Sequence, residues 1–267
     1  MTANLKPLGE LIHRQEDDEG AITVYQDHNL RYLTFGNFVE QSCLALNRPF
    51  RLEHAYTQAM MLSLLLKDDI RSALLLGLGG GSLARALHHV YPKLRVNAVE
   101  YRQAIIDIAR QFFELEDKKN LKLHCQDAQH YLDGNDSRHD LIFADLYLPD
   151  GVHEAQLKVD FFAQCRQRLA ERGVLVVNQW SSEFRLTKLS QAAICQVFNE
   201  QFINLHVKGG NNIVFAFNGN FPDLQRKSFL EAAQKLGMKL DIPLQNLSRN
   251  LWQQNAEAIE IRRHAEG

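Results

Sequence analysis

A glycine cluster, Gly77-Leu78-Gly79-Gly80-Gly81-Ser82, is followed along the chain by three acids, Glu100, Asp127 and Asp145, each near the end of a short apolar run. Glycines between a strand and a helix let the backbone turn tightly and approach a ligand with no Cβ in the way. In an open parallel sheet, ligands bind beyond the C-terminal strand ends, where the strand order reverses. The GxGxG spacing of Gly77, Gly79 and Gly81 suits such a site. A dinucleotide fingerprint counted from Gly77 needs glycine where Ser82 stands, which argues against a dehydrogenase. Glu100, nineteen residues after Gly81, is placed to accept from both hydroxyls of a ribose. Asp127, followed by Ala128, can accept from an adenine amino group. Asp145 closes the fourth apolar run, where the reacting part of a ligand would point. A carboxylate there serves as general base, holds a cationic substrate, or makes a ligand contact alone. Singly, each acid reads equally well as a solvated strand end. The glycine loop, Glu100 and Asp127 together, at the ends of three consecutive strands, read as a nucleoside site.

The elements that must position these groups follow from hydrophobic period. From Ser72 onward, short apolar runs (ALLLGLG, RVNAVE, LKLHCQ, DLIFADL, GVLVVNQW) alternate with amphipathic segments (SLARALHHVY, QAIIDIARQFFEL, KVDFFAQCRQRLAERG and about 183–200). INLHVKG and NIVFAFN pair as a closing hairpin around Gly209-Gly210-Asn211. Such alternation predicts an α/β fold, a seven-stranded mainly parallel sheet with helices on both faces, of the class I methyltransferase-like type. Before it, residues 21–35 alternate about Asp27-His28-Asn29 and predict a β-hairpin, and Arg51–Lys67 predict one helix. Gly173 is expected to cap the helix that precedes it, and Asp140 to start the fourth strand in a structural role. The division expected is an N-terminal hairpin region over 1–50, a nucleoside-binding domain over 51–219 and a C-terminal helical extension over 220–267.

Composition bounds the partners. The chain has 267 residues and a formal net charge of −2, which gives no global attraction to nucleic acid or an anionic membrane. No apolar run reaches spanning length, and the acid-containing N-terminus lacks a signal-peptide core. Cys43, Cys125, Cys165 and Cys195 form no CxxC pair, so free thiols in a reducing cytoplasm are expected. No metal is expected. His88 and His89 are adjacent on a helix, and His124 and Cys125 are adjacent on a strand, so neither pair converges. Asp117-Lys118-Lys119 reads as a solvated turn. Trp180 and Tyr147 follow strand ends, where packing and ligand stacking are equally open readings.

On these residues the chain resembles the spermidine synthase family of polyamine aminopropyltransferases, from the N-terminal hairpin to about Trp180. The likeness lies in Gln41, Tyr56, the glycine loop, Glu100, Asp127-Ala128 and Asp145, which occur in the expected order. It is nearest to the short relatives in which GLGGGSLAR replaces GGGDG. The resemblance implies decarboxylated S-adenosylmethionine as donor, or S-adenosylmethionine itself, and a small amine such as a polyamine as acceptor. It further implies Asp145 as catalytic base, Tyr56 and Gln41 lining the pocket, Glu100 on the ribose, and a homodimer paired through the N-terminal strands. Two positions depart from the family. Ser82 stands where an aspartate holds the donor's amino group, and Leu148 where a second aspartate binds the polyamine. A buried cation needs a paired acid, so the acceptor is left open, with Asp150 and Glu154 as possible substitutes. Two other readings stay alongside aminopropyl transfer: a methyltransferase of unknown acceptor, and a nucleoside-binding homologue without catalysis.

Overall fold

The computed structural model describes residues 8–36, 39–148, 151–152, 154–179 and 184–265. Its centre is a seven-stranded sheet built from β5 (Ser72–Leu76), β6 (Arg95–Glu100), β7 (Leu121–Cys125), β8 (His139–Ala144), β11 (Leu169–Gln179), β12 (Phe202–His206) and β13 (Asn212–Phe217). Two short strands outside it, β9 (Tyr147–Leu148) and β10 (Gly151–Val152), pair with each other after β8. The order in the large sheet is β12-β13-β11-β8-β5-β6-β7. Pairing is parallel from β11 through β7, and β13 runs antiparallel to both neighbours. The chain leaves β5 towards β6 and β7, then returns to lay β8 on the other side. That reversal opens a crevice beyond the ends of β5 and β8.

Alternation along the strands sends side chains to two cores. Ala73, Leu75, Leu141, Phe143, Val174 and Val176 face α1 (Ala55–Met60), α2 (Ser82–Val90) and two C-terminal helices, α7 (Arg226–Leu240) and α8 (Leu244–Gln254). Leu74, Leu76, Ile142, Ala144, Leu175 and Val177 face α4 (Ala128–Gly134), α5 (Val159–Gln167) and α6 (Phe184–Phe198). Among the described residues no helix is long and apolar enough to cross a membrane. The C-terminal extension, which ends with α9 (Ala256–Ala265), contributes Phe229, Leu236, Leu240, Leu251 and Trp252 to the same core as β5 and β8.

Three sequence expectations change in detail. The predicted hairpin is the middle of a four-stranded antiparallel meander, β1 (Glu10–Asp17), β2 (Gly20–Asp27), β3 (Leu30–Thr34) and β4 (Glu40–Ala45). Its inner face, with Ile22, Val24, Leu33 and Leu44, covers α3 (Gln103–Phe112). The expected long helix over 51–67 shortens to α1 followed by a 3₁₀ turn, Met61–Leu65. Met60 through Leu64 are buried all round, so no solvent face exists to impose a 3.6-residue period. Gly173 caps no helix. α5 ends at Gln167 and Gly173 lies inside β11, where the ladder with β8 skips from Leu169 to Val174. A Cβ on Gly173 would meet the Ala170 carbonyl at 2.9 Å, so the glycine permits a tight bulge.

Asp140 has the structural role expected of it, accepting from the backbone N–H groups of Arg71 and Ser72 at 2.9 and 3.0 Å. At the far edge of the sheet, two side-chain amides from α8 and its cap pair with β12. Asn255 bonds both the N–H and C=O of Asn204, at 3.1 and 2.7 Å. Gln254 does the same for His206, at 2.8 and 3.3 Å. Alternate residues of that strand edge are thereby satisfied without a further strand.

Candidate active site

Beyond the ends of β5, β6 and β8 lies a cavity of about 530 Å³. It is lined by Gln41, Tyr56, Gly77, Gly79, Ser82, Glu100, Asp127, Ala128 and Asp145, all predicted from sequence, and by His54, Thr57, Phe35 and Glu19, which were not. Gly80 and Gly81, expected among the ligand-binding glycines, lie behind the wall. A Cβ on Gly80 would meet Phe113 at 2.8 Å, and one on Gly81 would meet Leu115 at 2.9 Å. These two glycines let the loop pack against Phe113 and Leu115 at the end of α3, rather than let a ligand in.

The loop is held from outside. Ser42 Oγ accepts from Gly80 N–H at 2.9 Å, which fixes β4, and with it neighbouring Gln41, against the glycine turn. Arg85, one turn into α2, donates to the carbonyls of Pro49 at 2.8 Å and Phe113 at 2.6 Å, to that of Gly80, and to Ser82 Oγ at 3.3 Å. Burial pulls this guanidinium down to about 10, so it stays charged at neutral pH. Arg102 ties the meander down in the same way, donating to both Asp17 oxygens at 3.0 and 2.7 Å and to the Gly20 carbonyl at 2.7 Å. Its guanidinium also lies 5.2 Å from the Phe35 ring centroid.

At one end of the cavity Glu100 accepts from Leu78 N–H at 3.2 Å, Gly79 N–H at 3.4 Å and Arg102 N–H at 3.1 Å. Burial raises its pKa, opposed by these backbone donors. The Tyr101 N–H is a further backbone donor, so hydroxyls of a bound sugar would share these oxygens with the loop. Asp127 is the N-cap of α4 and accepts from His130 N–H at 3.0 Å. Its second oxygen is left for a ligand.

At the other end stands Asp145. Burial pushes its carboxyl up to about 6, offset in part by hydrogen bonds from Asn178 and Tyr56. Asn178 Nδ2 donates to Asp145 Oδ1 at 2.9 Å, and Asn211 Nδ2 donates to Asn178 Oδ1 at 2.9 Å. The carboxylate is thus oriented through the end of β11 by the β12–β13 turn. The arrangement is a carboxyl poised near neutrality beside a phenol, facing a cavity that Glu100 and Asp127 also line. Such a group can take a proton from a substrate.

Sequence reading missed Asn178, Asn211, Arg85, Arg102 and His54. The only signal available was position, since Asn178 ends the fifth apolar run as Asp145 ends the fourth. Glu154 offers no replacement acid, for it is exposed and lies 3.8 Å from Lys158. Asp150 and Trp180 fall outside the described residues. His88 Nε2 bonds the Leu94 carbonyl at 3.1 Å, and His89 Nε2 bonds the Lys239 carbonyl at 3.1 Å while its ring stacks on Phe50.

Comparison with known proteins bears on the family and on the fold. A family model described as the spermine/spermidine synthase domain matches residues 53–207. The chain is 29% identical over 238 residues to a polyamine aminopropyltransferase of Chromobacterium violaceum, spanning 88% of this chain and 91% of that one. It is also 29% identical over 218 residues to a polyamine aminopropyltransferase of Neisseria meningitidis serogroup B, spanning 80% and 82%. Among solved structures, a probable spermidine synthase from Corynebacterium glutamicum superimposes with a TM-score of 0.72 at 19% identity, over 92% of this chain and 95% of that one. Human methyltransferase-like protein 13, solved with SAH, gives 0.63 at 24% identity, over 71% and 94%. At such identities the structural likeness bears on the fold.

Proposed function

The chain belongs to the spermine/spermidine synthase family, and we infer that it is a transferase that moves an aminopropyl group from decarboxylated S-adenosylmethionine to a polyamine or another small amine. The observation that carries this reading is Asp145, an enclosed carboxyl bonded to Tyr56 and Asn178 in the cavity that Glu100 and Asp127 also line. The donor supplies a carbon made electrophilic by its sulfonium. The amine lone pair forms the new C–N bond while the C–S pair goes to sulfur, releasing neutral methylthioadenosine.

An alkylamine resembles lysine, with a pKa of about 10.4, and attacks only when neutral. Asp145 takes the surplus proton. Its raised pKa narrows the gap to the amine while leaving it ionised above neutrality. Glu100 receives the ribose hydroxyls, and Asp127 the adenine amino group, while Gln41 and Ser82 line the path between the ends. We further assign the protein a homodimeric, cytoplasmic form. β1 is an edge strand of the meander with Leu11 exposed, a surface that a second copy would cover. All four cysteines are unpaired, which suits a reducing compartment.

Product analysis by mass spectrometry tests the reaction, with decarboxylated and intact S-adenosylmethionine offered alongside diamines and polyamines. Methylthioadenosine with an aminopropylated amine is the expected result. S-adenosylhomocysteine with a methylated product would replace it with methyl transfer. Binding without product would leave a nucleoside-binding homologue. Glu100→Gln is expected to weaken methylthioadenosine binding by about ten- to a hundredfold, the worth of charged hydrogen bonds to a ligand. Calorimetric titration measures this, and an unchanged affinity would remove Glu100 from the ribose.

A further inference from the structure

The geometry assigns His54 as a positioning residue, whose imidazole holds the Tyr56 ring at the angle that brings its hydroxyl onto Asp145. This rests on the transfer reading of the same site. The two rings are stacked, with centroids 5.7 Å apart and planes 17° from parallel. Tyr56 in turn bonds the Asp145 carboxyl. The Tyr56 ring also packs against the hydrophobic core, and a flat neighbour on its face limits the swing that remains.

His54 is otherwise hard to account for. It occupies the N-cap of α1 and makes no side-chain cap, although serine, threonine, aspartate and asparagine are favoured there. Its Nε2 is enclosed without a hydrogen-bond partner, a cost that leucine or alanine would avoid. Its backbone, by contrast, is firmly held. The His54 carbonyl accepts from Thr57 Oγ1 at 2.8 Å and Gln58 N–H at 3.1 Å. Gln58 Nε2 meanwhile donates to the Leu52 carbonyl at 2.7 Å. The ring lines the cavity from an anchored position. Burial also draws the imidazole's pKa below its usual value, which disfavours a positive charge beside an amine substrate.

The test compares His54→Ala, His54→Phe and Tyr56→Phe in the full chain. The first readout needs no turnover: the Asp145 titration followed by carboxyl NMR without ligand. Loss of the tyrosine hydrogen bond raises this pKa, so Tyr56→Phe and His54→Ala should both move it up, by roughly half to one unit. His54→Phe keeps the stack and should titrate as the parent does. In turnover, His54→Ala should lower kcat by about tenfold or more with the donor KM little changed, and His54→Phe should restore kcat. If His54→Ala does not fold, His54→Leu fills the volume without a flat ring and carries the same expectation. An Asp145 titration unmoved by His54→Ala or His54→Leu would overturn the assignment, as would failure of His54→Phe to rescue. Absence of any product from the parent protein would sink the transfer reading alone, because the titration stands without it.

Discussion

Asp145→Asn is expected to lower turnover by about 10²- to 10⁴-fold, the usual contribution of a general base, while methylthioadenosine binding stays within a few-fold. The acid limb of the pH profile should vanish with it. In the parent protein kcat/KM should climb through about pH 6 as Asp145 loses its proton. The same substitution should act on stability with the opposite sign. Asp145 titrates at about 6 in the fold against a reference of 3.8, so the native state binds its proton more tightly than the unfolded chain does. Stability from this group is therefore lost as pH rises between those values, reaching roughly 3 kcal/mol above neutrality. Asp145→Asn is not subject to that loss. Urea titrations should find the variant more stable than the parent at pH 8, and the difference should shrink below pH 4. Surviving turnover would mean that another group takes the proton. A variant less stable at pH 8 would mean that the carboxylate is better solvated than its surroundings suggest.

Gly77→Ala should be among the most damaging single-atom changes in the described residues. Gly77 has φ of +94°, and a Cβ there would lie 2.3 Å from the Asp145 carbonyl oxygen and 3.1 Å from its carbon. The obstruction is backbone, and it belongs to the adjoining strand end, where Asp145 N–H also donates to the Leu76 carbonyl at 2.9 Å. Strain at positive φ costs of order 1–3 kcal/mol, and parting β5 from β8 adds to it. The expected result is an insoluble or barely folded protein that binds no nucleoside. Gly20→Ala is the matched control. Its φ of +102° is equally unfavourable, but nothing lies within 4 Å of the added Cβ. That variant should lose stability through backbone strain alone, about 1–2 kcal/mol, and fold otherwise intact. Equal effects at the two glycines would show that β5 and β8 separate easily at the cavity.

The parallel core was legible because its central strands, β5 and β8 above all, are buried on both faces. Runs such as Ala73–Leu76 and Leu141–Ala144 are continuously apolar and stop at their glycine or acid. The acids themselves were legible because the fold places functional groups at strand ends. What escaped has a common cause, since it depends on contacts between residues distant in sequence. Asn178 reaches Asp145 across thirty-three positions, and neither residue alone signals the other. Arg85 reads as a solvated charge on an amphipathic helix, yet its guanidinium is used inside the loop packing. β1 was hidden because it is an exposed edge strand, Glu-Leu-Ile-His-Arg-Gln-Glu-Asp, with almost no apolar alternation to betray it. His54 differs again: its effect lies in a ring face, and no residue-type rule marks that.

The amide pairs on β12 also bear on how the chain is made. Translation delivers β12 and β13 before Gln254 and Asn255. Until Gln254 and Asn255 leave the ribosome, Asn204 and His206 present unpaired peptide groups to whatever is nearby, including nascent neighbours on the same message. Emergence of Gln254 and Asn255 is then the event that withdraws this template. A premature stop just ahead of Gln254 would leave every cavity-lining residue encoded and yet yield a chain prone to recruit others strand by strand.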